Sequence, residues 1–189
     1  FKPKNIKISG EGKYSFDNLN FLNVNLENNI HNDNLNLKLD FDYKKKIDLD
    51  LINYKKPEGS SSNIFLVLDK KKDNLNIREL NFKEENNFIK LKNLRFNKKK
   101  LLSFKNVEVR TASNDFKIEK SKKILIKGTK FDATNLVKFL NKRNRENRFQ
   151  KIDSDIEIDF KSINVPMSEK LQNFKLIGEI KNGQFVKIS

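Results

Sequence analysis

NLNLKLDFDY, Asn34 to Tyr43, is the stretch whose reading decides the fold. Leu35, Leu37, Leu39, Phe41 and Tyr43 take every second place, and Asn36, Lys38, Asp40 and Asp42 fill the gaps. Neighbouring side chains of a strand point to opposite faces, so this decamer predicts a strand with one apolar and one wet face. KIDLDLI, Lys46 to Ile52, prolongs the alternation through Ile47, Leu49 and Leu51.

Working outward, NYKKPEGSSS (Asn53 to Ser62) reads as a loop, with Pro57, Gly59 and a serine run. NIFLVLD then gives a more fully apolar strand around Leu66. Further on, one spacing recurs: apolar, two polar, apolar, one polar, apolar. It fits Phe16-Leu19-Phe21, Ile77-Leu80-Phe82, Leu91-Leu94-Phe96, Phe104-Val107-Val109, Phe160-Ile163-Val165 and Leu171-Phe174-Leu176. The extra polar residue slips the phase, as a β-bulge does. The connections DKKKDN, NFKEENN, NKKK, TASND and EKSKK are short and polar, which joins antiparallel neighbours in a meander. No alternation of strands with helices runs along the chain, which argues against a doubly wound parallel sheet.

One segment changes period. In ILIKGTKFDATNLVKFL (Ile124 to Leu140) a strand gives way, after a turn placed at Gly128, to a helical stripe of Leu136, Val137, Phe139 and Leu140. Asp132 suits the N-cap, and Phe131 and Leu136 are spaced for a hydrophobic staple. Lys142 and Arg143 suit the far end of the dipole. The expected helix covers about residues 133–142. The fold class is therefore mainly β: an elongated, curled antiparallel sheet with one short α-helix, in a single unit over residues 1–189.

Forty Lys and Arg stand against 25 Asp and Glu, a net charge of +15. Lys, Asn, Ile and Phe are residues that an AT-rich genome over-supplies, so part of this charge reads as a solvated surface. The chemistry-bearing types are scarce: no Cys, no Trp, one His and one Met. His31 lies in a polar stretch without a nucleophile motif, so no enzyme activity and no cofactor is expected. Asp153, Asp155, Glu157 and Asp159 alternate with isoleucines, the pattern of a wet strand face whose acids meet lysines on a neighbour. No apolar run approaches the ~20 residues of a membrane helix.

Gly128, Phe131, Asp132, Ala133, Leu136, Phe139 and Leu140, then the acidic strand Asp153 to Asp159, then Leu171, Asn173, Phe174, Leu176, Gly178 and Gly183, resemble the AsmA-like superfamily and its YhdP-type branch. The likeness covers about residues 75–189. It implies a gutter-shaped sheet with an apolar inner face. It also implies transport of phospholipid between the membranes of a Gram-negative envelope and a role in outer-membrane biogenesis. The location implied is the periplasm, with tethering to the inner membrane by a segment outside this sequence. The family's membrane anchor has no counterpart here, and the chain begins at Phe1, so a piece of a longer protein is expected.

The apolar faces are the functional candidates. One short helix cannot cover a long apolar sheet face, and exposure costs ~25 cal/mol per Å². The expected groove residues are Leu35, Leu37, Leu39, Phe41, Leu49, Leu51, Leu66, Leu80, Phe82, Leu94, Phe96 and Val107. Phe131, Asp132, Leu136, Phe139 and Leu140 are the expected helix plug. Phospholipid acyl chains and other segments of the same long chain are the expected partners, with an anionic membrane surface as a further candidate. A closed, dry sandwich and a module that pairs through its sheet edges stay open as alternatives. A nucleic-acid interface is disfavoured, because the phenylalanines occupy apolar strand positions instead of interleaving with the lysines.

Overall fold

A computed structural model describes residues 5–32, 34–136, 152–166, 170–182 and 184–189. They form fifteen strands: β1 (Asn5–Tyr14), β2 (Leu22–His31), β3 (Asn34–Tyr43), β4 (Ile47–Leu49), β5 (Tyr54–Lys56), β6 (Ser62–Lys71), β7 (Asn74–Glu84), β8 (Asn87–Asn97), β9 (Lys100–Ser103), β10 (Asn106–Arg110), β11 (Asp115–Lys120), β12 (Ile124–Asp132), β13 (Ser154–Asn164), β14 (Leu171–Lys181) and β15 (Gln184–Ile188). Thirteen make one sheet in the order β1-β2-β3-β6-β7-β8-β10-β11-β12-β13-β14-β15, with β9 beside β10 on β8. The sheet curls without closing. β4 and β5 form a separate hairpin.

Register aligns the alternation across the whole sheet. One ladder runs Gly10, Leu26, Leu39, Leu66, Leu80, Leu91, Val107, Ile118, Ile126, Ile158 and Leu176, each residue opposite the next. A second, one step along the strands, runs Val24, Phe41, Ile64, Phe82, Ile89, Val109, Phe116, Gly128, Phe160 and Phe174. A slip of one residue in any strand would break both, so the pattern itself pins the register.

The repeated spacing produces bulges, and they line up. Ile77 pairs with Leu94 and Glu79 with Lys92, so Arg78 and Asn93 both drop out of pairing and register is kept across β7–β8; against β6, where Val67 pairs with Glu79 and Leu68 with Ile77, Arg78 is the surplus residue. Gly128 pairs with Phe160 and Lys130 with Ser162, leaving out Thr129 and Lys161. Phe160 pairs with Phe174 and Ser162 with Gln172, leaving out Lys161 and Asn173. Asn93 and Asn173 take φ of 54° and 52°, values that asparagine tolerates better than most side chains. Each bulge holds the apolar residues on either side of the slip on one face. The copy at Phe16-Leu19-Phe21 is different: it forms the exposed β1–β2 connection. There the Asp17 carboxylate accepts the backbone N–H of Leu19 and Asn20 at 2.9 and 2.8 Å and rolls the chain into a turn.

Three other expectations are corrected. Residues 53–62 are not one loop, since Tyr54–Lys56 is strand β5 and the loop begins at Pro57. The alternation through Leu49 and Leu51 does not continue the sheet. A 3₁₀ turn at Asp50–Ile52 ends with Asn53 at φ 46°, which resets the phase; Ile52 and Tyr54 become buried, while Leu49 and Leu51 stay exposed. Gly128 is not a turn but lies within β12. A Cβ there would fall well inside 3.0 Å of the Asp115 carbonyl, Phe116 and the Phe160 ring. The β11–β12 bulge passes this close, and only glycine leaves room.

The expected helix lies mostly outside the described residues, and among those described there is no complete α-helix. At the helix's expected start, Asp132 ends strand β12; its Oδ1 accepts the Thr134 N–H at 3.1 Å, and Leu136 N–H reaches Ala133 O at 2.9 Å. Phe139 and Leu140 lie outside the described residues. β12 and β13 are parallel, the one such pair among the described residues, where every other strand pair is antiparallel. A parallel pair requires a long crossover, and residues 133–153 supply it.

Strand ends define two rims. The lid rim carries the connections at 15–21, 44–61, 85–86 and 111–114. The far rim carries those at Asn32, 72–73, 98–99 and 121–123.

Candidate functional site

The ladders form the floor of a trough, and two buried clusters show that the apolar face lies inside the curl. Near the lid rim, Ile52, Tyr54 and Ala133 pack in one cluster with Phe82, Ile89, Val109, Phe116, Phe160 and Ile163. Toward the far rim, Leu101 of β9 shares a cluster with Ile124, Ile152 and Ile156. β9 takes the same side of β8 as β10, and two strands, β11 and β12, separate that place from β13, so their meeting in one cluster fits a face that folds inward. The crossover leaves β12 through Ala133 in the first cluster and re-enters through Ile152 in the second. Both its described ends lie on the apolar side, at opposite rims.

The β4–β5 hairpin and its 3₁₀ turn act as a lid over the middle of the trough. Tyr54 meets Phe82 edge-on at 5.8 Å between ring centres, and its hydroxyl donates to Glu84, as does that of Ser60. Burial pushes the Tyr54 phenol up, and the Glu84 hydrogen bond and charge add to it. Lys56, the last residue of β5, is fully buried. Its Nζ donates to the carbonyls of Lys45 and Pro57 at 2.9 and 3.2 Å, and burial pushes its pKa down. Asn53 Nδ2 donates to Asp132 Oδ2 at 2.9 Å, and Asn135 Nδ2 donates to Asn53 Oδ1 at 2.7 Å. Burial raises the Asp132 carboxyl, but hydrogen bonds led by those from Thr134 and Asn53 outweigh it and hold the pKa below the usual range.

This divides the trough. Under the lid, Phe82 is buried, and Leu91, Val107 and Ile126 pack against the first cluster. Leu94 and Phe96 pack against the second. On β2, on β3 and at Leu66 of β6 the same face has no such cover among the described residues, whereas Ile64 of β6 packs against the first cluster: Val24, Leu26, Leu35, Leu37, Leu39, Phe41 and Leu66 are all half-buried. Ile6 and Ile8 carry the face on to the edge strand β1, 37 % and 50 % exposed. Of the expected groove residues, Leu35, Leu37, Leu39, Phe41 and Leu66 thus line the uncovered stretch, and Leu80 continues it on β7. Phe82, Leu94, Phe96 and Val107 sit in or against the packed part. Leu49 and Leu51 are on the lid, outside the trough.

Phe131 belongs to β12 and stacks on Phe160 at 5.6 Å, so it is part of the packed floor and not of a helix. Leu136 packs on the same cluster from the first turn of the crossover. The lid residues Ile52 and Tyr54, and Asn114 of the β10–β11 turn that bonds to the lid, escaped the sequence reading. Their only signal was Asn53, a residue type that often reverses chain direction.

The polar face is stitched by ion pairs. Lys38 meets Glu27 at 2.7 Å and Arg78 meets Asp69 at 3.0 Å. Glu157 of the acidic strand pairs with Lys123, and with Lys127 at 3.7 Å. His31 closes the β2–β3 hairpin against Asn5 and Asn32. Comparison with protein-family models, with curated proteins and with solved structures returned no match.

Proposed function

We propose that this chain is a non-enzymatic, lipid-shielding segment of an AsmA-like protein of the YhdP-type branch, carrying phospholipid acyl chains across the periplasm of a Gram-negative envelope. One observation carries the reading. An apolar ladder runs without a polar interruption from β2 to β14, and its β2–β3–β6 stretch lies half-exposed on the inside of the curl. Apolar surface of this extent in water is unfavourable at ~25 cal/mol per Å², and an acyl chain lying along the ladder removes it. Among the described residues the lid packs on the central part, and this stretch has no such cover.

Native mass spectrometry of the gently purified chain, with lipid extraction in parallel, tests this. Co-purifying or added phospholipid should bind, and Leu66→Asp should abolish binding in a folded protein. Ile177→Asp, at an exposed position opposite Glu157 on the other face, should leave it intact. A bare mass with no lipid uptake would rule out the lipid reading.

A second reading rests on the edges. Among the described residues β1 and β15 each pair on one side only and expose Ile6, Ile8, Val186 and Ile188. A structural module that pairs through these strands with further segments of a longer chain would cover the same surface. Concentration-dependent association without lipid uptake would favour it.

A further inference from the structure

The far rim carries lysine where lysine is a poor structural choice. The β8–β9 hairpin is a two-residue turn, with Asn97 paired to Lys100 and Lys98 and Lys99 at its tip. Both have positive φ, 44° and 65°. This is the turn for which Asn-Gly is the relaxed solution, since a long side chain in the left-handed region costs free energy. The neighbouring β6–β7 hairpin repeats the choice, with Lys72 at φ 50°. Elsewhere on this rim Asn32 and Asn182 hold the positive-φ places. The two lysine turns touch: the Lys98 N–H donates to the Asp73 carbonyl at 3.1 Å.

Together the two turns present Lys70, Lys71, Lys72, Lys98, Lys99 and Lys100, all exposed. None of the six makes an ion pair among the described residues. The nearby acid Asp69 is engaged by Arg78 at 3.0 Å. On the lid rim Lys45 pairs with Glu58 and Lys46 with Asp48, both at 2.7 Å, and Arg110 lies 3.7 Å from Asp115. The far rim also holds paired cations, Lys123 with Glu157 and Lys181 with Glu179, so it is these two turns and not the whole rim that leave positive charge open.

We infer that the far rim, centred on the Lys70–Lys72 and Lys98–Lys100 turns, is a docking edge for the head groups of an anionic bilayer. Lysine ammoniums on turn tips act as point charges on a plane of phosphates, each contributing to surface attraction within a Debye length. Single-stranded nucleic acid would call for exposed rings to stack on, but Phe96 is only half-exposed and Leu101 is buried. The choice of a bilayer over other polyanions rests on the proposed function, because a membrane held at this rim stands beside the open trough.

The test pairs a stability readout with a binding readout. In Lys98→Asn with Lys99→Gly, the turn relaxes, so Tm should rise by about 2–4 °C. Co-sedimentation with phosphatidylcholine vesicles containing phosphatidylglycerol should weaken by roughly tenfold or more, and salt should abolish the remainder. Lys45→Gln with Lys46→Gln on the lid rim should bind vesicles like the parent. Unchanged vesicle binding in the far-rim variant, or equal loss in the lid-rim variant, would overturn the inference. So would tighter binding to single-stranded RNA than to vesicles. Uptake of a fluorescent phospholipid is measured alongside. If uptake is absent while rim-dependent vesicle binding persists, the trough reading fails and the docking edge stands.

Discussion

Asn114 and Ile52 lie 62 residues apart, yet the fully buried Asn114 side chain donates from Nδ2 to the Ile52 carbonyl at 2.7 Å. The same amide accepts the Asp132 N–H at 2.9 Å through Oδ1. One side chain therefore joins the lid, the β10–β11 turn and the end of β12. Asn114→Ala leaves both backbone groups unpaired in a buried place, each at ~1–3 kcal/mol, so a loss of about 3 kcal/mol is expected in urea unfolding. Trypsin should also cut the lid at Lys45, Lys46 or Lys55 faster in the variant. An unchanged midpoint and cleavage rate would mean that the lid is held elsewhere.

Gly128 is the most intolerant glycine described. Gly128→Ala drives a methyl group into the Asp115 carbonyl and two phenylalanines and should cost about 1–3 kcal/mol. Gly12→Ala, where nothing lies within 4 Å, should be neutral or slightly stabilising. Equal melting shifts for the two would contradict the close approach at the bulge.

Asn28 faces the trough between Ile8 and Leu37, and its Oδ1 is buried without a partner. Asn28→Leu replaces an unsatisfied acceptor with an apolar group of similar size and should stabilise by about 1 kcal/mol. It should also extend the apolar floor and strengthen phospholipid uptake. A destabilised variant would show that the amide has a partner of its own in solution.

The Asp132 carboxyl is held below its ordinary value of 3.8 in the folded chain. Its contribution to stability is fully present above that value and is lost as pH falls through the folded-state pKa. Melting temperatures measured across the acid range should therefore drop below pH about 3.8 in the parent chain. Asp132→Asn should be less stable at neutral pH and flatter across that limb. Parallel acid profiles would exclude Asp132 as the group responsible.

How far the sequence reaches can be seen at particular residues. The interval between Ile77 and Leu80, and again between Leu171 and Phe174, announces a bulge because an extra polar residue is the only way to keep both leucine-type faces aligned. Deleting Asn93 should for this reason turn Leu94 and Phe96 to the wet side and unfold the sheet. The lid stayed hidden because Leu49 and Leu51 keep the beat of β3, and the phase reset at Asn53 is a backbone event of one residue. Gly128 read as a turn because its real constraint comes from Asp115 and Phe160, distant along the chain. The same holds for the open part of the trough. Alternation marks an apolar face, but what covers it is decided by contacts between remote segments.

The parallel β12–β13 joint also changes the parity of the whole sheet. A pure meander of this many strands would have its first and last members running in opposite senses. One joint without a reversal makes β1 and β15 run the same way, each from the far rim to the lid rim. The sheet thereby has a vectorial sense. Identical sheets laid edge to edge in the same orientation would match by simple translation, with lid beside lid and lysine edge beside lysine edge.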